Sequence, residues 1–148
     1  MAREKKRLVL TRVGEREISE DTIISFPRGL IGFEEHREFV LLPVADDSPF
    51  LLLQSLEDPR LGFLVADPYP FLENYQVQID TPQRQLLKLT GDGQSAVLVT
   101  VTIPQNEPEK AKLNLSGPII LNTELRIGLQ VPQVDTDYPS HLLLTGQK

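Results

Sequence analysis

Cysteine is absent from all 148 residues, and so is tryptophan. Without thiols there is no disulfide framework and no thiolate metal site. The fold must close by packing alone, and a domain near this size buries roughly 68–70% of the surface its unfolded chain exposes. Long apolar runs are missing too. No stretch approaches the roughly 18–20 apolar residues that a membrane span needs. The N-terminus is basic, with Arg3, Lys5, Lys6 and Arg7, but its apolar run stops at Leu10 before Thr11-Arg12. It has no signal-peptide core. The expectation is one domain over residues 1–148, cytoplasmic, with 1–6 and about 135–148 as candidate disordered tails.

Catalytic constellations are equally scarce. The two histidines, His36 and His141, have no second His at metal-ligand spacing, and both read as solvated surface residues. There is no Gly-x-Ser-x-Gly elbow, no phosphate loop and no Gly-x-Gly-x-x-Gly. The adjacent pairs Glu34/Glu35 and Asp46/Asp47 suit acid–base chemistry only in name. Neighbours on a strand point to opposite faces, and adjacent turn acids are usually solvated. Gly29-Leu30-Ile31-Gly32 matches the loop of KH domains in letters. Glu34, Glu35 and Glu38 follow at once, so it reads as a turn relaxed by two glycines, not a nucleic-acid clamp. No enzyme, cofactor or metal is expected.

What the chain does contain is strand signal. Arg7–Thr11, Thr22–Phe26, Glu38–Leu42, Phe50–Ser55, Leu61–Ala66 and Gln76–Ile79 are short apolar runs. Val97 to Ile103 and Leu125 to Val131 alternate with period two. The turn signals Asp46-Asp47-Ser48-Pro49, Glu57-Asp58-Pro59 and Ser116-Gly117-Pro118 punctuate them. One segment reads as a helix: Thr81 caps it, Pro82 takes its first position, Gly91 closes it, and Leu86, Leu87 and Leu89 form its apolar face. The fold class expected is mostly β: a compact antiparallel β-barrel-like single domain of many short strands with one short helix.

Charge is distributed unevenly. The formal net charge is −6. Acids crowd Glu34 to Asp80, where only Arg37 and Arg60 offset them. Such a block either keeps a domain soluble or faces a basic partner. Tyr69, Phe71 and Tyr75 lie in a proline-fixed loop rimmed by Asp67 and Glu73. Tyr69 and Tyr75 read as anchors in a polar rim, whereas Phe71 and Leu72 read as side chains that tuck the loop onto the barrel. The candidate partner-binding residues are therefore Glu34, Glu35, Asp58, Asp67, Tyr69, Glu73 and Tyr75.

Three stretches together resemble one family. They are Ile24-Ser25-Phe26-Pro27-Arg28-Gly29-Leu30-Ile31-Gly32-Phe33-Glu34; Pro49-Phe50 through Asp58-Pro59 into Phe63-Leu64-Val65-Ala66-Asp67-Pro68; and Asn114-Leu115-Ser116-Gly117-Pro118-Ile119-Ile120-Leu121-Asn122. They are similar to FliW, the flagellar assembly factors of flagellated bacteria, over about Val9 to Val131. The resemblance implies a small cytoplasmic barrel without enzymatic activity and with two protein partners; a monomer is expected when it is free. One is flagellin. The other is CsrA, a basic dimeric RNA-binding protein that represses flagellin translation. It implies that release from flagellin frees the protein to bind CsrA and relieve repression without competing directly with RNA. Direct nucleic-acid or membrane binding is not expected. The alternatives are a dedicated flagellin chaperone and a small-ligand-binding barrel.

Overall fold

The computed structural model describes residues 5–104, 107–134, 138–139 and 142–143. In chain order the strands are β1 (Lys6–Thr11), β2 (Gly14–Ser19), β3 (Ile24–Ser25), β4 (Glu38–Pro43), β5 (Phe50–Ser55), β6 (Gly62–Ala66), β7 (Ser95–Thr102), β8 (Lys112–Leu113), β9 (Ile119–Asn122), β10 (Ile127–Gln130) and β11 (Leu142–Leu143). The helix α1 (Thr81–Leu86) lies between β6 and β7. The order β7-β6-β5-β4-β3-β10-β9 returns to β7 through the β7–β9 pairing and closes a barrel. The expected barrel is there, with one difference. β3 and β10 pair in parallel, at Ser25 and Ile127, because their connection runs through the rest of the barrel instead of a hairpin.

Alternation sorts each strand between the barrel interior and three outer covers. Phe39 and Leu41 of β4, Leu51 and Leu53 of β5, Leu98 of β7 and Ile119 and Leu121 of β9 point inward, around Phe26. Phe26 meets Phe39 edge-to-face with centroids 5.3 Å apart, and both are fully buried. Gly128 leaves room for that ring, since a Cβ there would stand 2.4 Å from it. The interior between these strands is filled by side chains.

The outward residues are apolar as well, and each set is roofed. The β1–β2 hairpin lays Ile18 and Val9 over Val40, Leu42 and Leu52. The 67–77 loop with Tyr138 and Leu142 covers Ala66, Val99 and Val101. Helix α1 and its exit set Leu87 and Leu89 on Ile120, Leu129 and Val131. The alternating valines of β7 thus face a cover, while Leu98 faces the interior. Burial on both sides is worth about 1.5–3 kcal/mol for each large apolar side chain.

Details of the helix differ from the sequence reading. Its cap is Asp80, whose carboxylate accepts from Gln83 N at 2.8 Å while Gln83 Oε1 accepts from Asp80 N at 2.9 Å. That reciprocal pair is a capping box, which Thr81 cannot form from one position later. The helix ends at Leu86 and the chain turns away at Lys88, not at Gly91. Lys88 takes φ 57°, and Leu89 N reaches back to Arg84 O at 3.1 Å. The expected strand at Gln76–Ile79 is extended but unladdered. Its Gln76 N donates to Tyr138 Oη at 2.9 Å and its Gln78 N to Gln133 Oε1 at 2.8 Å. The expected C-terminal tail also differs where it is described, since β11 pairs with β8 at Leu142–Leu113. At the other tail Lys6 opens β1. Residues 1–4, 135–137, 140–141 (His141 included) and 144–148 lie outside the described residues.

One buried polar residue locks the hairpin to the barrel. Gln54, fully buried, accepts from Arg12 N through Oε1 at 2.9 Å. Its Nε2 has the carbonyl oxygens of Ser55, Asp58, Pro59 and Leu61 within 3.0–3.3 Å. Arg12 Nη1 then donates to Gly62 O at 3.0 Å. A buried amide is tolerated here because its donors and acceptor are all used.

Candidate functional site

Strand register gives the barrel two ends. Glu38, Ser55 and Gly62 lie at one; Pro43, Phe50 and Ala66 lie at the other. About 13–17 Å of strand separates them at ~3.3 Å per residue. The loop from Phe26 to Arg37 belongs to the first, since Ser25 pairs with Glu38. These are here the Phe33 end and the Tyr69 end.

The Phe33 end is built from two consecutive tight turns. Gly29 N donates to Phe26 O at 2.9 Å, and Phe33 N to Leu30 O at 2.7 Å. Pro27 presets the first turn. Gly29 and Gly32 hold φ of 63° and 87°, and a Cβ on Gly29 would come within 2.6 Å of the Glu34 backbone. Ile31 N is pinned by Gln130 Oε1 at 3.0 Å, and Gly32 N by Glu34 Oε2 at 3.1 Å. The turns hold Ile31 out at 58% exposure and Phe33 at 38%. Phe33 stacks edge-on against Phe63 with centroids 5.1 Å apart, so the exposed ring is rooted in the aromatic core. The double turn thus lifts a phenylalanine that follows an apolar run to the surface.

Around these two side chains lies a rim of both signs. Glu34 and Glu35 are exposed. Glu57 Oε1 accepts from Arg37 N at 2.7 Å and Glu38 N at 3.3 Å, tying the Phe33 loop to the β5–β6 turn. Ser55 Oγ accepts from Glu57 N and Asp58 N at 3.0 and 3.1 Å, and His36 Nδ1 sits 3.3 Å from it. The hydrogen bond from Arg60 N to Asp58 holds that carboxyl below the usual range, helped by the Arg60 and His36 charges. Arg60 Nε lies 3.4 Å from Asp58 Oδ1, and Arg37 Nε donates to Glu34 O at 2.9 Å.

Beside the rim a cleft of about 510 Å³ opens, lined by Arg12, Ile31, Phe63, Leu64, Thr102 and Gln130 among others. It exists because β6 and β7 pair only at Val65–Thr100 and Ala66–Val99. Beyond those pairs β7 turns to β8, at Val101–Leu113, and the seam of the barrel splays.

The Tyr69 end is different. Asp67 Oδ1 accepts from Tyr69 N at 2.9 Å and fixes the start of the loop. Tyr69 is 36% exposed. Burial, together with the nearby Asp67 carboxylate, raises its hydroxyl pKa. Tyr75 corrects the sequence reading: at 3% exposure it is a core residue, not an anchor. Its hydroxyl donates to Leu115 O at 2.6 Å, its ring packs edge-on against Tyr138 at 4.7 Å, and burial pushes its pKa up strongly. Phe71 and Leu72 tuck against the same cluster, as expected. Glu73 is exposed on this loop.

The seven candidate residues therefore do not form one surface. Glu34, Glu35 and Asp58 share the Phe33 end. Asp67 and Tyr69 lie at the opposite end with the Asp46-Asp47 turn, and Glu73 lies farther along the Asp67 loop. A block of acids spread over several antiparallel strands is dealt alternately to the two ends of the barrel. Sequence reasoning missed Ile31, Arg12 and Gln130. The paired glycines around Leu30-Ile31 were the one available signal of a tight turn, which buries Leu30 and leaves Ile31 exposed. Among the described residues no group of three or more His, Asp or Glu could hold a metal, and no helix is long and apolar enough to cross a membrane.

Comparison with known proteins fits this geometry. The family model described as FliW protein matches residues 7–144. The flagellar assembly factor FliW of Nitratidesulfovibrio vulgaris strain DP4 is 54% identical over 144 residues, covering 97% of this chain and 83% of that protein. The one from Desulfovibrio desulfuricans is 45% identical, covering 100% and 90%. A crystal structure of the flagellar assembly factor FliW superposes with a TM-score of 0.84 at 32% identity, over 95% of this chain and 96% of that one. The chain belongs to the FliW family of flagellar assembly factors.

Proposed function

We propose that this protein is a non-enzymatic, cytoplasmic regulator that binds flagellin and CsrA in turn, docking both at the Phe33 end. The observation that carries the reading is the double glycine turn, which spends left-handed backbone to hold Ile31 and Phe33 in the open. Apolar anchors inside a charged rim are the pattern of a binding hot spot. The splayed seam beside them offers backbone and apolar wall to an extended or helical segment, which suits flagellin. The rim carboxylates Glu34, Glu35 and Asp58 suit a basic protein such as CsrA. Because anchors and acids occupy one face, the two partners exclude each other there. Exchange follows: flagellin occupies the face until it is exported, and the freed face then engages CsrA. CsrA held this way loses RNA through a steric or conformational penalty, since the rim carries both signs and is a poor mimic of a phosphate chain.

Purified protein mixed with flagellin and CsrA, separately and together, tests the reading by size-exclusion chromatography with light scattering. Two binary complexes are expected, with flagellin displacing CsrA. A stable ternary complex contradicts the exchange. A chaperone role predicts in addition that equimolar protein delays filament growth; unchanged growth removes that role.

A further inference from the structure

A second opening lies at the Tyr69 end of the barrel, away from the docking face. It holds about 380 Å³, with Ile24, Leu41 and Leu121 among its walls and Asp21, Thr123 and Arg126 at its edge. Ile24, Leu41 and Leu121 belong to the barrel's interior cluster. The opening is therefore a mouth of the barrel, floored by the core itself.

Three features set it apart from an incidental hollow. Arg126 holds φ 55°, a left-handed position at the close of the β9–β10 turn where glycine or asparagine is the usual occupant. A side chain kept at a strained position points to a use for that side chain. Second, Asp21 and Arg126 edge the same opening, yet neither forms an ion pair among the described residues. Third, the turn is rigidly held. Asn122, fully buried, donates to Leu87 O at 2.9 Å and accepts from Glu124 N and Leu125 N at 3.0 Å. Thr123 Oγ1 donates to Gln94 O at 2.8 Å. The guanidinium's own backbone contact, Nη1 to Glu124 O, is long at 3.5 Å, and its other donors have no partner among the described residues.

We infer that this mouth binds the C-terminus of a polypeptide ending in an apolar residue. A terminal residue carries its side chain and its carboxylate on one Cα, so a single residue reaches both the apolar floor and Arg126. The guanidinium takes the carboxylate in fork geometry, as in other sites that capture chain ends. Asp21, on the same edge, has Oδ1 taken by Ser19 Oγ and accepts the amide N–H that precedes the carboxylate through its other oxygen. An internal acidic side chain would need two residues laid across an opening of this size.

The test uses the full-length protein, isotope-labelled, and amide chemical shifts. The probes are Gly-Ser-Leu peptide as free acid, the same peptide as its amide, and Gly-Leu-Glu-amide, whose only carboxylate is a side chain. The free acid is expected to shift the amides of Thr22–Ile24 and Leu121–Ile127 saturably, with both amide peptides roughly tenfold weaker, as loss of one charge-assisted contact implies. Arg126→Gly is expected to abolish that preference while leaving the unfolding midpoint unchanged or higher, because glycine relaxes the turn. Equal binding of acid and amide, equal binding of the internal carboxylate, or an unchanged preference in Arg126→Gly overturns the inference. So does the absence of saturable shifts.

Discussion

At the Phe33 end, two glycine turns lift Ile31 and Phe33 off the core. At the Tyr69 end, a proline-bound loop folds Tyr75 inward and leaves only Tyr69 at its edge. The first arrangement spends left-handed backbone to expose apolar surface; the second uses apolar side chains to roof the barrel. Charge differs in parallel. The Phe33 rim mixes Glu34, Glu35 and Asp58 with Arg28, Arg37 and Arg60, whereas Pro43–Leu51 and Asp67–Asp80 carry acids and no base. The mixed rim can set orientation and lifetime of a complex at short range. The acidic loops at the Tyr69 end act at a distance, by steering a basic partner.

That contrast can be broken or sharpened by substitution. The largest effect is expected from Phe26→Ala, which empties the interior that both ends stand on. It should cost about 3–5 kcal/mol in denaturant unfolding and weaken both ends together. Next is Tyr75→Phe. Losing the buried bond to Leu115 O should cost roughly 1–3 kcal/mol without touching partner affinity, and this separates the roof from the docking face. Tyr75 also fixes a pH dependence. Its pKa is raised by burial, so its neutral form is the folded one. Its share of stability is full below about pH 10, the unfolded value, and is lost as pH climbs above it. Chemical denaturation from pH 8 to 11 should show stability falling in the wild type and a shallower fall in Tyr75→Phe.

Gly29→Ala comes third. Left-handed backbone alone makes alanine cost about 1–2 kcal/mol there, and the approach of its Cβ to Glu34 should shift the turn. Partner affinity should fall out of proportion to the modest loss of stability, whereas a matching substitution at Gly91, where a Cβ meets nothing within 4 Å, should do neither. The smallest effect is kinetic. Asp46→Lys with Asp67→Lys should slow association with CsrA a few-fold at low salt and leave dissociation unchanged. Reversal of Glu34 and Glu35 should instead speed dissociation. Stopped-flow mixing at two salt concentrations distinguishes them.

Much of this was legible in the chain, and the exceptions have physical causes. β5 was read at its observed bounds and β4, β6 and β7 within two residues, because turn residues bracket them. β9 left no mark. Ile119-Ile120-Leu121-Asn122 is buried on both faces, so it lacks the alternation that identifies a half-exposed strand. β2 was missed for the opposite reason: Gly14–Ser19 is mostly exposed, with Ile18 its one buried residue. At the site, the GxxG pair was correctly read as a turn, but not as a pedestal for Ile31 and Phe33. Tyr75 was misplaced because its roofing partners, Leu115 and Tyr138, are far away in sequence. The acidic block was real as composition and misleading as geometry, since antiparallel strands send near neighbours to opposite ends.

Ile31 offers the most direct test of the docking face. Its side chain is exposed and belongs to none of the hydrophobic clusters, so Ile31→Asp should fold with an unchanged unfolding midpoint. Calorimetric titration of this variant with flagellin and with CsrA should show both affinities reduced by about tenfold or more, as expected when a charge replaces an apolar anchor. Wild-type affinity for both partners, in a variant shown to be folded, would contradict the assignment of docking to the Phe33 end.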